Sequence, residues 1–209
     1  MTIIFVAITC LISFVAFNNE KLFGKLQFNA YQIYHRKEYY RLLTHGFIHA
    51  DWMHLIVNML VLYMFGKSIE TKFTQLEIEG VINYPFLWYS FLYLTAIIIS
   101  SLTTLKKHRD DIWYNSVGAS GGVSAILFCY IFFYPFRILL LYGIIPLPGI
   151  VLGVLYLFYS QYMSKKNRDN INHDAHFVGA VFGFLFPILI NYHFIFEFIS
   201  KILHPSIYS

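Results

Sequence analysis

The stretch GASGGVSAILFCYIFFYP, residues 118–135, gathers small residues around Ser120 and then runs without a charge to a proline. As a helix from Ser120 to Pro135 it reaches only about 24 Å at 1.5 Å per residue. A bilayer core is about 30 Å thick. A membrane helix here therefore starts below the surface, with Ser120 several ångströms down. The preceding IWYNSVGA then enters the membrane as non-helical chain. Such backbone is tolerated at depth only where protein buries it or a water-filled cavity adjoins it.

The rest of the chain supports the membrane reading. Of its 209 residues 58% are hydrophobic, 20% aromatic and 12% charged, against about 25% charged in a soluble domain. The charges fall in short runs between apolar stretches at about 1–17, 54–68, 81–104, 118–135, 138–163 and 176–196. These predict an all-α membrane protein with six transmembrane helices in one domain, 1–209. Pro146 and Pro148 predict a kink or irregularity in the fifth. The first loop, 18–53, is aromatic and amphipathic, too charged to span and too apolar to be a free tail; it is expected in the interface.

Other classes fit less well. The net charge of +4 sits in loops rather than on one basic face, so nucleic acid is not an expected partner. Cys10 and Cys129 lie in apolar runs and read as buried thiols. MTIIFVAITCLISFVAF has no basic lead-in or small-residue cleavage pattern, and is expected to be a retained first helix.

With six spans, the second, fourth and sixth helices start from the same side. His54 and Asn58 open the second, Ser120 the fourth and His176 the sixth, so residues far apart in sequence share one leaflet. A serine at the start of a helix gains N–H groups and the positive dipole end, which suit an oxyanion. It could equally be a cap or part of a small-residue packing face. Gly118 and Gly121 permit the sharp turn. In DAHFVGAVFG, Gly179 and Gly183 form a stripe that lets another helix approach, with Gly121 and Gly122 as its match. Such an approach would bring His176 to Ser120, which an activated hydroxyl requires. His54 and Asn58, four apart, share a helix face and can both donate hydrogen bonds. His45, His49 and His54 invite a metal reading, but no H-E-x-x-H, cysteine pair or carboxylate completes a ligand set. No metal is expected.

These motifs resemble those of the rhomboid family of intramembrane serine proteases over roughly residues 38–190. The match rests on GASG at 118–121, AHFVGAVFG at 175–183, His49, His54 and Asn58 in H-x4-H-x3-N, EYYRLLTH with Arg41, and GKSIE with Gly66 and Glu70. The resemblance implies a rhomboid-like bundle with Ser120 as nucleophile and His176 as base. It implies an oxyanion and substrate-binding region of His54, Asn58 and the Gly118–Ser120 turn. His49, Gly121, Gly179, Gly183, Glu70 and Arg41 would be structural residues near the site. It further implies single-pass transmembrane substrates cut in or near the bilayer, without a cofactor. Two positions depart from the family: Tyr40 precedes Arg41 where tryptophan is common, and Ser124 stands where an aromatic often stacks on the histidine.

The rival readings are a catalytically silent rhomboid-like protein that binds membrane clients, and a small transporter. The silent form would be marked by loss of the serine or histidine, and both are present. A transporter should line several helices with polar residues at mid-depth, whereas here they cluster on one side. For orientation, eleven basic residues lie in loops one, three and five against four elsewhere, which by the positive-inside bias puts the site in the cytoplasm. The resemblance instead implies a bacterial inner membrane with the site opening outside, and that is the expectation taken.

Overall fold

The computed structural model describes residues 1–141, 144–166 and 171–205. Helix α1 (Thr2–Phe17) leads into a region of short elements: α2 (Glu20–Leu26), strand β1 (Phe28–Asn29), α3 (Ala30–Arg36), α4 (Arg41–Thr44) and a 3-10 turn (His45–Phe47). Next come α5 (Trp52–Ile78), α6 (Pro85–His108), β2 (Asn115–Ser116) and α7 (Ser120–Phe133). A hairpin of β3 (Ile138–Leu141) and β4 (Ile145–Pro148) precedes α8 (Gly149–Lys166), α9 (His173–Ile190) and α10 (Phe194–Leu203).

Three of these helices, α5, α6 and α9, are long and apolar enough to cross a membrane; α1 and α7 are shorter apolar helices. Leu11, Phe14, Leu60, Phe91 and Leu189 are exposed on their flanks. Apolar surface of that extent is what lipid covers.

Local chemistry sets the ends. The Asp51 carboxylate caps α5 by accepting the His54 N–H at 2.8 Å. The helix runs past the expected limit at 68 because Ile69, Phe73 and Leu76 continue its buried stripe. Just beyond it, Gly80 takes φ +74, the left-handed position that commonly ends helices. Pro85 starts α6 at a position that needs no N–H donor. The Asn172 side chain caps α9 through the Ala175 N–H at 3.1 Å.

The fifth expected helix is corrected. Residues 138–141 and 145–148 are not helical: they are antiparallel strands in which Ile138 pairs with Pro148 and Leu141 with Ile145. Pro146 and Pro148 lack the N–H that a helix interior requires, whereas a two-stranded edge tolerates them. The helix begins at Gly149, whose N–H reaches the Arg137 carbonyl at 2.9 Å. The sixth expected helix also divides, ending at Ile190 and leaving α10 as a separate amphipathic helix.

Helix α7 is the centre of the fold, packed against α5, α6 and α9. Gly121–Ile126 are all buried, as suits a helix apolar all round. Its tightest seam is with α9. A Cβ at Gly179 would lie 2.2 Å from the Gly121 carbonyl oxygen, and one at Gly183 2.1 Å from that of Ala125. Only hydrogen fits at either position.

Candidate functional site

The approach to α7 is held from the first-loop region. Strand β1 pairs with β2, Phe28 opposite Ser116 and Asn29 opposite Asn115. Buried Arg41 organises the same region, donating to the Gly24 and Gln27 carbonyls at 2.8 Å each and to Glu38 at 2.6 Å. The Arg41 guanidinium holds the Glu38 carboxyl below its ordinary range. The Arg41 carbonyl accepts from His45 Nδ1 at 2.8 Å, and the His45 carbonyl accepts the Gly118 N–H at 2.9 Å. Arg41 thus reaches the turn through one histidine.

Gly118 is required twice over. Its φ of +118 is strained for any side chain, and a Cβ would lie 2.6 Å from Cε1 of the His54 ring. The His54 imidazole therefore lies directly over the turn that presents Ser120.

His49 clamps the next residue. Its Nε2 accepts the Ala119 N–H at 3.4 Å, and its Nδ1 lies 3.1 Å from the Ser13 hydroxyl on α1. Burial, and then the neighbouring His54, push His49 down to about 3; burial pushes His45 down to about 4. A neutral His49 that accepts at Nε2 carries its proton on Nδ1. It donates to Ser13, whose hydroxyl donates to the Phe47 carbonyl at 3.0 Å. One relay joins α1, the first-loop region and the serine turn.

These two histidines predict a pH dependence. The unfolded chain takes up protons below about 6.5 that the folded protein refuses, so stability is full above that pH. It falls as pH drops toward the folded values of about 4 and 3. The loss approaches about 1.4 kcal/mol per pH unit for each histidine. Melting temperature in detergent should fall steadily from pH 7 to pH 5; a flat profile would contradict the buried neutral pair.

Ser120 is the first residue of α7 and is half-buried. Asn58 lies one turn along α5 from His54 and donates one amide proton to the His54 carbonyl at 2.9 Å, leaving its second. Across the α7–α9 seam, the Ala175 carbonyl lies 3.7 Å from a Cβ built at Gly121. Ser120 and His176 each adjoin one member of that pair. The His176 ring lies within 11° of parallel to Tyr156 of α8, and it meets His173 edge-to-face. Tyr156 escaped the sequence reading, because a tyrosine in an apolar helix carries no signal until its neighbours are known.

Two described acids near these residues are engaged. Asp174 accepts from the Ser164 hydroxyl and from Lys107 Nζ at 3.4 Å, and Asp51 caps α5. Glu70 accepts the Thr2 N–H at 3.3 Å. It stands sixteen residues beyond His54 on α5, about 24 Å at 1.5 Å per residue, so it braces the far end rather than the site. A cleft of about 360 Å³ opens between the β2 segment and the start of α9, lined by His108, Trp113, Asn115, Asn172 and Asp174 among others.

The Rhomboid domain family model matches residues 36–193. The chain is 32% identical over 143 residues to "RHOMBOID-like protein 12, mitochondrial" of Arabidopsis thaliana, covering 66% of this chain and 43% of that protein. It is 26% identical over 176 residues to "Rhomboid-related protein 1" of Caenorhabditis elegans, covering 80% and 44%. It is 35% identical over 107 residues to "Rhomboid protein 1, mitochondrial" of Saccharomyces cerevisiae, covering 50% and 28%. The chain thus spans less than half the length of each of these relatives. Two of the names are mitochondrial, which gives the expected bacterial inner membrane no support. The match covers the serine turn, the histidine clamp and the α7–α9 seam together, and the chain belongs to the rhomboid family.

Proposed function

We propose that this chain is an intramembrane serine endopeptidase that cuts single-pass transmembrane proteins in or near the bilayer by a Ser120–His176 dyad. In this reading residues 1–209 form one domain with six spans, α1 and α5 to α9, and the end carrying Ser120 lies below the membrane surface. The observation that carries the reading is the Gly118–Ser120 turn. It is clamped by His49, covered by the His54 ring and pressed against the helix that bears His176.

The chemistry follows from that placement. Ser120 Oγ attacks the scissile carbonyl while His176 takes its proton. The negative charge on the carbonyl oxygen is received by the Ser120 N–H, which as the first of a helix has no acceptor within it, and by His54 and Asn58. His176 then protonates the leaving amine, and water releases the acyl group by the reverse sequence. The dyad needs no cofactor. Neutral His49 secures the preceding peptide, so the donors are in place before charge develops.

The test is direct. Detergent-purified protein incubated with a generic transmembrane substrate should cut it, and Ser120→Ala protein should not. Persistent cutting by pure Ser120→Ala protein would refute the reading. Intact substrate with wild-type protein, together with tight client binding, would favour the silent client-binding alternative. For orientation, Ser120 and the chain termini are placed on opposite faces, with both termini in the cytoplasm; a C-terminal reporter active only outside would sink this.

His54 and Asn58 give a second test. A donor aimed at the oxyanion is worth about 10²–10³ in turnover. The interaction exists only in the transition state, so kcat should fall with KM nearly unchanged. His54→Ala is expected to be the slower, because Asn58 spends one proton on its own helix. A stable His54→Ala variant with normal turnover would remove that residue from the site.

A further inference from the structure

Ser124 stands one turn after Ser120 on the same face of α7 and is buried. Its hydroxyl lies 2.7 Å from that of Tyr156, a full-strength O–H···O distance. Phe128, a further turn along that face, meets the Tyr156 ring at 5.6 Å between centroids. The tyrosine is thus fixed at its tip by a hydrogen bond and along its side by packing. Toward α9 it meets His176 in a near-parallel, offset arrangement, the two rings 11° from parallel with centroids 6.3 Å apart.

The arrangement continues as a row. The His176 and His173 rings meet edge-to-face at 5.8 Å and 70°, and His173 meets Tyr159 at 5.6 Å and 83°. Tyr156 and Tyr159 are three apart on α8, His173 and His176 three apart on α9, so each pair shares a helix face. The two histidines lie between the two tyrosines.

A histidine ring rotates in a broad well about its last torsion, so an imidazole acting as base needs an outside group to set its plane. A carboxylate usually does this. Here Asp174 is engaged by Ser164 and Lys107. The geometry points to Tyr156 as the positioning residue for His176, its ring anchored by Ser124 so that the imidazole is held in the plane that serves Ser120. The inference rests on the Ser120–His176 reading and adds to it the source of the base's orientation.

The experiment measures kcat and KM per active site, with sites counted by a fluorophosphonate that labels Ser120. Tyr156→Leu removes the ring and should lower kcat about 10–100-fold, as misplacement by about an ångström does. Its KM should stay within about twofold and its labelled fraction at saturating probe unchanged. Tyr156→Phe keeps the ring and should retain kcat within about fivefold, rescuing most of the loss. The double variant Ser124→Ala/Tyr156→Phe should be no worse than Tyr156→Phe alone, because the tyrosine change already removes the bond to Ser124. Should Tyr156→Leu fail to fold, that cycle decides alone. Wild-type kcat per labelled site in Tyr156→Leu, or losses from Ser124→Ala and Tyr156→Phe that multiply, would overturn the inference and leave the dyad standing. Wild-type protein that neither cuts nor takes the label would overturn both.

Discussion

Gly179→Ala protein is expected to melt about 2–12 °C below wild type and to have lost most of its turnover. The added methyl would lie 2.2 Å from the Gly121 carbonyl oxygen and 2.9 Å from its carbon. The neighbour is backbone, so no rotamer change relieves the clash, and α9 must move away from α7. Overpacking of this kind costs about 1–3 kcal/mol, and each kcal/mol lowers the melting temperature of a chain this size by about 2–4 °C. Activity should suffer more than stability, because His176 rides on the displaced helix less than one turn away. A shift of about 1 Å in a catalytic group can cost 10²-fold. Gly24→Ala is the control: nothing lies within 4 Å of a Cβ there, and both readouts should stay near wild type. Equal behaviour of the two variants would mean that the α7–α9 seam does not set the site.

The second large effect belongs to the dyad. Ser120→Ala and His176→Ala should each lower kcat by about 10⁴ or more, and the double variant should be no slower than either single one. Groups that act as one unit lose their whole contribution when either is removed. Both residues are half-buried and polar, so neither change removes much apolar packing, and melting temperatures should remain near wild type. Losses that multiply would mean that the two residues act separately.

Much of this was legible in the sequence, for identifiable reasons. Apolar runs located the main helices because lipid imposes one requirement along a whole segment. Gly121, Gly179 and Gly183 marked the seam because glycine lets two helix backbones press directly together, whereas Gly122, expected in it, lies against Ile97 and Tyr93 of α6. Segment counting gives the expectation that Ser120, His54 and His176 share one end, and the structure sets the His54 ring against Gly118 and the start of α9 against that of α7. The β3–β4 pair departs from the expected helix because its apolar residues suit a strand or a helix equally, and the two prolines decide for the strand. The division between α9 and α10 was missed because the apolar pattern continues past Asn191, where the backbone turns. Tyr156 and the Ser13–His49 relay were invisible for a different reason. Each depends on a partner in a distant helix, and a single tyrosine or serine within an apolar run has no distinguishing spacing.

The central claim is that Ser120 is an activated nucleophile, and a covalent label tests it most directly. Purified protein in detergent, treated with a fluorophosphonate and digested, should carry one adduct, on Ser120. The serine oxygen displaces fluoride from phosphorus, and His176 takes the proton. His176→Ala protein should be labelled at least about a hundredfold more slowly, since general-base assistance contributes about 10²–10⁴. An adduct on another residue, or labelling of Ser120 at the same rate without His176, would contradict the account.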